Sequence, residues 1–142
     1  MAKFLVSIAD ATEAEIALRA GADIIDLVPS ADGGPDALDP QLVRNTVALV
    51  AGRGPVSVMA GFLPVEPTLA LQAVEKYTGT GVEYVRIGVL PGRVAEASVR
   101  AAGSLADRVK LIAILFADES PDSALLFRRV QHHPMKAGFG QE

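Results

Sequence analysis

The sequence predicts an α/β fold built from successive strand–helix units on a parallel sheet. Three observations carry that expectation. Five short apolar runs recur along the 142 residues, and each is followed by a segment with apolar residues at helical spacing; parallel strands covered by crossover helices give this alternation. Glycines that stop helices (Gly21, Gly81 and Gly138) stand before the second strand, before the fourth, and where a sixth would begin. Finally, the stretch Ala20-Gly21-Ala22-Asp23-Ile24-Ile25-Asp26-Leu27-Val28-Pro29 returns in variant form as Thr80-Gly81-Val82-Glu83-Tyr84-Val85-Arg86-Ile87-Gly88. That offset spans two strand–helix units.

Lys3 to Ile8 reads as the first strand, a nearly continuous apolar run of the buried parallel type. Asp10 then caps a helix, and Glu13 completes a capping-box spacing. Glu15 and Arg19 form an i,i+4 pair on the wet face, while Ala14, Ala17 and Leu18 supply the buried stripe. Gly21 ends the helix in the manner of a left-handed cap. Asp23 to Val28 is the second strand, followed by the loop Ser30-Ala31-Asp32-Gly33-Gly34-Pro35-Asp36. Asp39-Pro40 starts the second helix, with Asp as cap and Pro in the first turn. Its inner face is Val43, Thr46, Val47 and Val50, and Gly52 and Gly54 end it.

Pro55 to Gly61 is the third strand, and Phe62 to Pro67 reads as the loop after it. The third helix carries Ala70, Ala73, Val74 and Tyr77 on its stripe. Tyr84 to Leu90 is the fourth strand, with Pro91-Gly92 as its turn. Val94, Ala97, Ala101 and Leu105 mark the fourth helix. Lys110 to Ala117 is the fifth strand, and Ser120-Pro121 caps a fifth helix through Leu125, Leu126 and Val130.

Two architectures accommodate five such units in a single domain over residues 1–142. A five-stranded doubly wound sheet closes at this length. A (β/α)₈ barrel takes about 250 residues, so the chain would form a partial TIM-barrel-like repeat. Periodicity favours the doubly wound sheet. The repeat after every second unit favours the barrel, whose alternate strands are equivalent in the inward layers. A partial barrel leaves an unpaired edge and exposed apolar surface, which predicts a homo-oligomer.

Composition narrows the partners. Thirteen basic residues against seventeen acidic ones give a net charge of −4, and the one basic cluster, Arg128-Arg129 with His132-His133, is too short for a nucleic-acid patch. Cysteine is absent, which excludes disulfides and thiolate chemistry. No apolar run approaches the ~20 residues that span a bilayer. These features predict a cytoplasmic protein with neither nucleic acid nor membrane as partner.

Asp26, near the end of the second strand, is the leading site candidate. It can orient a ligand or move a proton, or it can serve structurally by accepting from backbone amides. Arg86 is polar within a buried strand. It suits an anion contact, an ion pair with Asp26 or Asp118, or both. Asp118, with Glu119, follows the fifth strand at the end where α/β sites lie, where turn and capping chemistry also fits. Gly33-Gly34 matches neither the P-loop nor the dinucleotide fingerprint. His132-His133 lacks a third ligand at suitable spacing. Ser7 and Ser57 have no histidine at a matching strand end, so a hydrolase triad is unsupported.

Taken together, Leu5-Val6-Ser7, Ala20 to Asp26, Gly61 with Leu63-Pro64-Val65-Glu66-Pro67, Val82 to Gly88, and Leu115-Phe116-Ala117-Asp118 resemble the (5-formylfuran-3-yl)methyl phosphate synthase family. The resemblance implies a TIM barrel of the Schiff-base aldolase type. It implies a lyase that condenses two molecules of glyceraldehyde 3-phosphate on the way to methanofuran-type C1 carriers. The implied ligand is a small phosphorylated metabolite, and no metal or organic cofactor is implied. The family carries a lysine two residues after the strand-two aspartate, where this chain has Val28, and another on strand four, where it has Arg86. An acidic residue after strand three is replaced by Phe62. By their places at the strand ends Asp26 and Asp118 are the catalytic candidates, and Arg86, whose guanidinium suits a phosphate or carboxylate, is the phosphate-binding one. None of Lys3, Lys76, Lys110 and Lys136 falls at the C-terminal end of a strand, so the expectation is that imine chemistry is lost.

Overall fold

The computed structural model describes residues 1–29, 38–63, 66–90 and 92–115. Asp118, Gly33-Gly34, the expected fifth helix, His132-His133, Lys136 and the start of a sixth strand lie outside the described residues.

Five strands and four helices alternate: β1 (Leu5–Ile8), α1 (Ala11–Arg19), β2 (Ile24–Leu27), α2 (Pro40–Val50), β3 (Val56–Leu63), α3 (Pro67–Glu75), β4 (Tyr84–Val89), α4 (Ala95–Gly103) and β5 (Lys110–Leu115). All pairings are parallel, and the strand order is β1-β2-β3-β4-β5. This order decides between the two architectures. A doubly wound sheet reverses direction at a switch point, so its strand order departs from sequence order. Here each strand lies beside its predecessor, as in a barrel. The periodicity argument for the doubly wound sheet is therefore overturned, because both folds share the same βα alternation and differ only in lateral order.

Local chemistry explains the elements. The Asp10 side chain accepts from the Glu13 amide at 3.0 Å, and the Glu13 carboxylate accepts from the Ala9 amide at 2.7 Å. The capping box thus closes one residue further out than its usual N-cap partner. Asp39 accepts from the Gln41 amide, with Pro40 in the first turn of α2. That helix ends at Ala51, itself left-handed, one residue before the glycine expected to stop it.

Two further expectations are corrected. β3 runs on to Leu63, two residues past the expected end, because a bulge between Met59 and Gly61 shifts the register and lets Phe62 and Leu63 pair with Gly88 and Val89. A bulge admits one extra residue without ending the ladder, and its position is not visible in the apolar pattern. In α4 the buried positions are Ala95, Ser98, Val99 and Ala102, while Ala97 is exposed. Alanines occupy so many positions of this helix that composition marks no single face.

The core lies between sheet and helices. Ile8, Ile25, Leu27, Val56, Val58, Val85 and Ile87 point outward to meet Ala14, Ala17, Val43, Val50, Ala70, Val74, Val99 and Ala102, and all are buried. By the alternation of a strand, their neighbours Ser7, Asp26, Ser57, Met59, Tyr84 and Arg86 take the inner face.

Candidate functional site

The inner face carries a row of polar side chains on adjacent strands. Ser7 pairs in register with Asp26, and Asp26 with Ser57. In-register residues of parallel strands share a face, so three polar groups meet where a buried sheet would ordinarily hold apolar ones. Arg86 enters from β4 opposite Met59, two residues beyond the Ser57 level. It reaches back across β3 to Asp26.

Asp26 is fully buried. The Ser7 hydroxyl donates to its Oδ2 at 3.1 Å, the Ser57 hydroxyl donates to Oδ1, and Arg86 Nη2 donates to Oδ2 in a salt bridge. A buried carboxylate is tolerable when it is paired and hydrogen-bonded, and this one receives three donors. The sequence-level alternative in which Asp26 bonds to backbone amides is corrected: its partners are side chains from three other strands. Arg86 resolves toward the ion pair with Asp26. Its Nε is buried and has no hydrogen-bond partner among the described residues. Asp118 lies outside the described residues, so no geometry is attached to it.

Ser7 and Ser57 are the site residues that no sequence motif marks: without a histidine they have no support as nucleophiles. Each interrupts an otherwise apolar strand run, and that interruption was the available signal. Their function as carboxylate partners follows only from register.

The lysine question also acquires geometry. Continuing the β2–β3 register by one residue places Val28 across from Met59, the partner of Arg86. Val28 and Arg86 thus stand at one level, just beyond Asp26 toward the C-terminal ends of the strands. Lys110 sits at the start of β5, where its ammonium donates to Glu83 at 2.8 Å and lies 5.4 Å from the Tyr84 ring centre. The hydrogen bond to Glu83 raises the Lys110 pKa, the opposite of what activates an amine nucleophile. Lys76 follows α3 at the exposed surface. Among the described residues no group of three or more His, Cys, Asp or Glu could hold a metal ion, and no helix is long and apolar enough to cross a membrane.

A profile of the 4-HFC-P synthase family matches residues 4–139. The chain belongs to the 4-HFC-P synthase family. Relatives in that family agree. A Methylorubrum extorquens protein provisionally named (5-formylfuran-3-yl)methyl phosphate synthase is 37% identical over 120 residues, covering 82% of this chain and 48% of its own length. The Methanosarcina mazei (5-formylfuran-3-yl)methyl phosphate synthase is 34% identical over 87 residues, covering 61% of this chain and 37% of that enzyme. The chain spans about half or less of the length of the relatives it matches.

Solved structures support the barrel character of this 4-HFC-P synthase family member. A 2,3-dimethylmalate lyase of the PEP mutase/isocitrate lyase superfamily superposes with a TM-score of 0.63 at 18% identity, over 92% of this chain and 55% of that one. The 4-hydroxy-tetrahydrodipicolinate synthase of Methylacidiphilum fumariolicum SolV gives 0.63 at 17%, over 94% and 52%. At such identity the likeness concerns the fold alone.

Proposed function

We propose that this protein serves the route of its relatives, holding a phosphorylated triose of the kind that leads to (5-formylfuran-3-yl)methyl phosphate, without forming an imine with it. One observation carries this reading. The level just beyond Asp26 presents Val28 and Arg86, the two positions where the family resemblance places lysines. An imine requires an amine that is neutral for part of the time. Valine offers none, and a guanidinium stays protonated. What remains is recognition: a carboxylate fixed by three donors, and a cation beside it, on the inner face of a barrel sheet. Asp26 then orients groups around it and is not the proton-transfer base.

At the β1 edge Leu5 is 42% exposed and the preceding Phe4 70%, apolar surface of the kind that further barrel strands or a second copy would cover. Light scattering at rising concentration reports on the latter, and self-association is the expected result.

A second reading keeps the full lyase activity, the condensation of two glyceraldehyde 3-phosphate molecules. The family match across residues 4–139 and the retained Asp26 favour it. It needs an amine from beyond the described residues. Borohydride reduction in the presence of glyceraldehyde 3-phosphate separates the two. An unchanged protein mass is expected on the first reading, and a reduced adduct mapped to a lysine establishes the second.

A further inference from the structure

We infer that Arg86 binds an oxyanion of a small metabolite, and that Ser57 and Ser7 are positioning residues that keep its guanidinium available to do so. The inference deepens the binding reading above and rests on it for the identity of the metabolite.

An arginine and a carboxylate left to themselves close into two parallel N–H···O bonds. That closure is not made here, and two serine hydroxyls compete for the same carboxylate. Ser57 occupies Oδ1 of Asp26, and Ser7 shares Oδ2 with Arg86. Arg86 therefore receives one carboxylate oxygen through one nitrogen. Its Nε–H is buried and unpaired among the described residues, a state that is costly for a charged donor and uncommon in folded proteins. The side chain is nevertheless 16% exposed, and it stands one level beyond Asp26 toward the end of the sheet where barrel ligands bind. An acceptor arriving there would meet a guanidinium with donor capacity to spare. The acceptor that fits a fork of N–H groups is a phosphate monoester or a carboxylate. Because Asp26 already offsets the Arg86 charge, the incoming anion competes with it, and binding is correspondingly modest.

The serines give the inference its own signature. Removing the Ser57 hydroxyl frees Oδ1, lets the carboxylate close on Arg86 with both oxygens, and takes donors away from the ligand. Ser57 would thus govern anion affinity without touching the anion.

The test is a thermal-shift titration with inorganic phosphate at constant ionic strength, with acetate and glyceraldehyde 3-phosphate as parallel arms. Wild type should show a saturable rise in Tm. Phosphate active alone indicates a phosphate monoester site, and acetate equally active indicates a carboxylate site. Ser57→Ala should weaken the effective anion about fivefold, the worth of one hydrogen bond. Ser57→Thr, which keeps the hydroxyl, should restore it. Arg86→Gln should abolish the response. Both Ser57 variants retain the ion pair, so they decide the matter if Arg86→Gln does not fold. No saturable rise with any of the three anions overturns the inference, as does a response untouched by Ser57→Ala or by a folded Arg86→Gln. A borohydride adduct would overturn the preceding reading and leave this one standing.

Discussion

Arg86 on β4 and Asp26 on β2 form a buried salt bridge that passes over β3, the strand between them. Asp26 is fully shielded, so its charge has no water to fall back on. Removing one partner of such a pair costs roughly 3–5 kcal/mol, because the other is left buried and uncompensated. Arg86→Gln is expected to lose about that much in urea unfolding. The double variant Asp26→Asn/Arg86→Gln, which removes both charges and keeps hydrogen-bonding groups, should lose less than Arg86→Gln alone. A double loss equal to the sum of the singles would mean the two residues are not coupled.

Tyr77 predicts an alkaline limit to stability. Its hydroxyl donates to the Leu38 carbonyl at 2.8 Å within the core. Burial first, and the nearby Asp39 charge second, push its pKa up to about 12. An unfolded tyrosine titrates near ~10. Between those values the folded state holds the proton that the unfolded state has released, so stability falls as pH rises. The contribution is complete below pH ~10 and gone by about 12, on the order of 2–3 kcal/mol for a shift of that size. Tyr77→Phe should flatten this step in a melt-versus-pH series, at a cost of about 1 kcal/mol at neutral pH for the orphaned carbonyl.

Gly21 and Gly81 stand at equivalent places before β2 and β4 with nearly equal backbone, φ +92° and +89°. Alanine at either position incurs left-handed strain of roughly 1–2 kcal/mol. Their surroundings differ. A Cβ on Gly21 meets nothing within 4 Å, whereas one on Gly81 lies 3.0 Å from Val47 Cγ1. Gly81→Ala should therefore be the more destabilising, by about 1 kcal/mol of overpacking. Adding Val47→Ala should erase that excess relative to Val47→Ala alone, as read by denaturant midpoints.

Val28→Lys tests whether an amine at this level of the sheet forms an imine. Val28 stands at the level of Arg86, and a neighbouring like charge lowers a lysine pKa toward the range where an imine forms. With glyceraldehyde 3-phosphate and borohydride, the variant is expected to gain a covalent adduct at residue 28 that wild type lacks. A folded variant without an adduct would show that lysine placement alone does not confer imine chemistry on this sheet.

The parallel strand–helix repeat and the caps at Asp10 and Asp39 were legible in the sequence. Each depends on residues close in the chain, where periodicity and capping chemistry act directly. The lateral order of strands was not legible, since βα alternation is common to wound sheets and barrels. The bulge that extends β3 was hidden for a related reason: one inserted residue alters pairing and leaves the apolar run intact. Asp26 and Arg86 could each be singled out as polar groups in apolar strands. That they neutralise each other, and that Ser7 and Ser57 complete the set, was settled by register between strands remote in sequence. The chain by itself thus determined which segments form strands and which of those strands carry polar residues. The tertiary structure alone decided which polar side chains share a face, because only parallel pairing brings residues 7, 26, 57 and 86 within hydrogen-bonding reach.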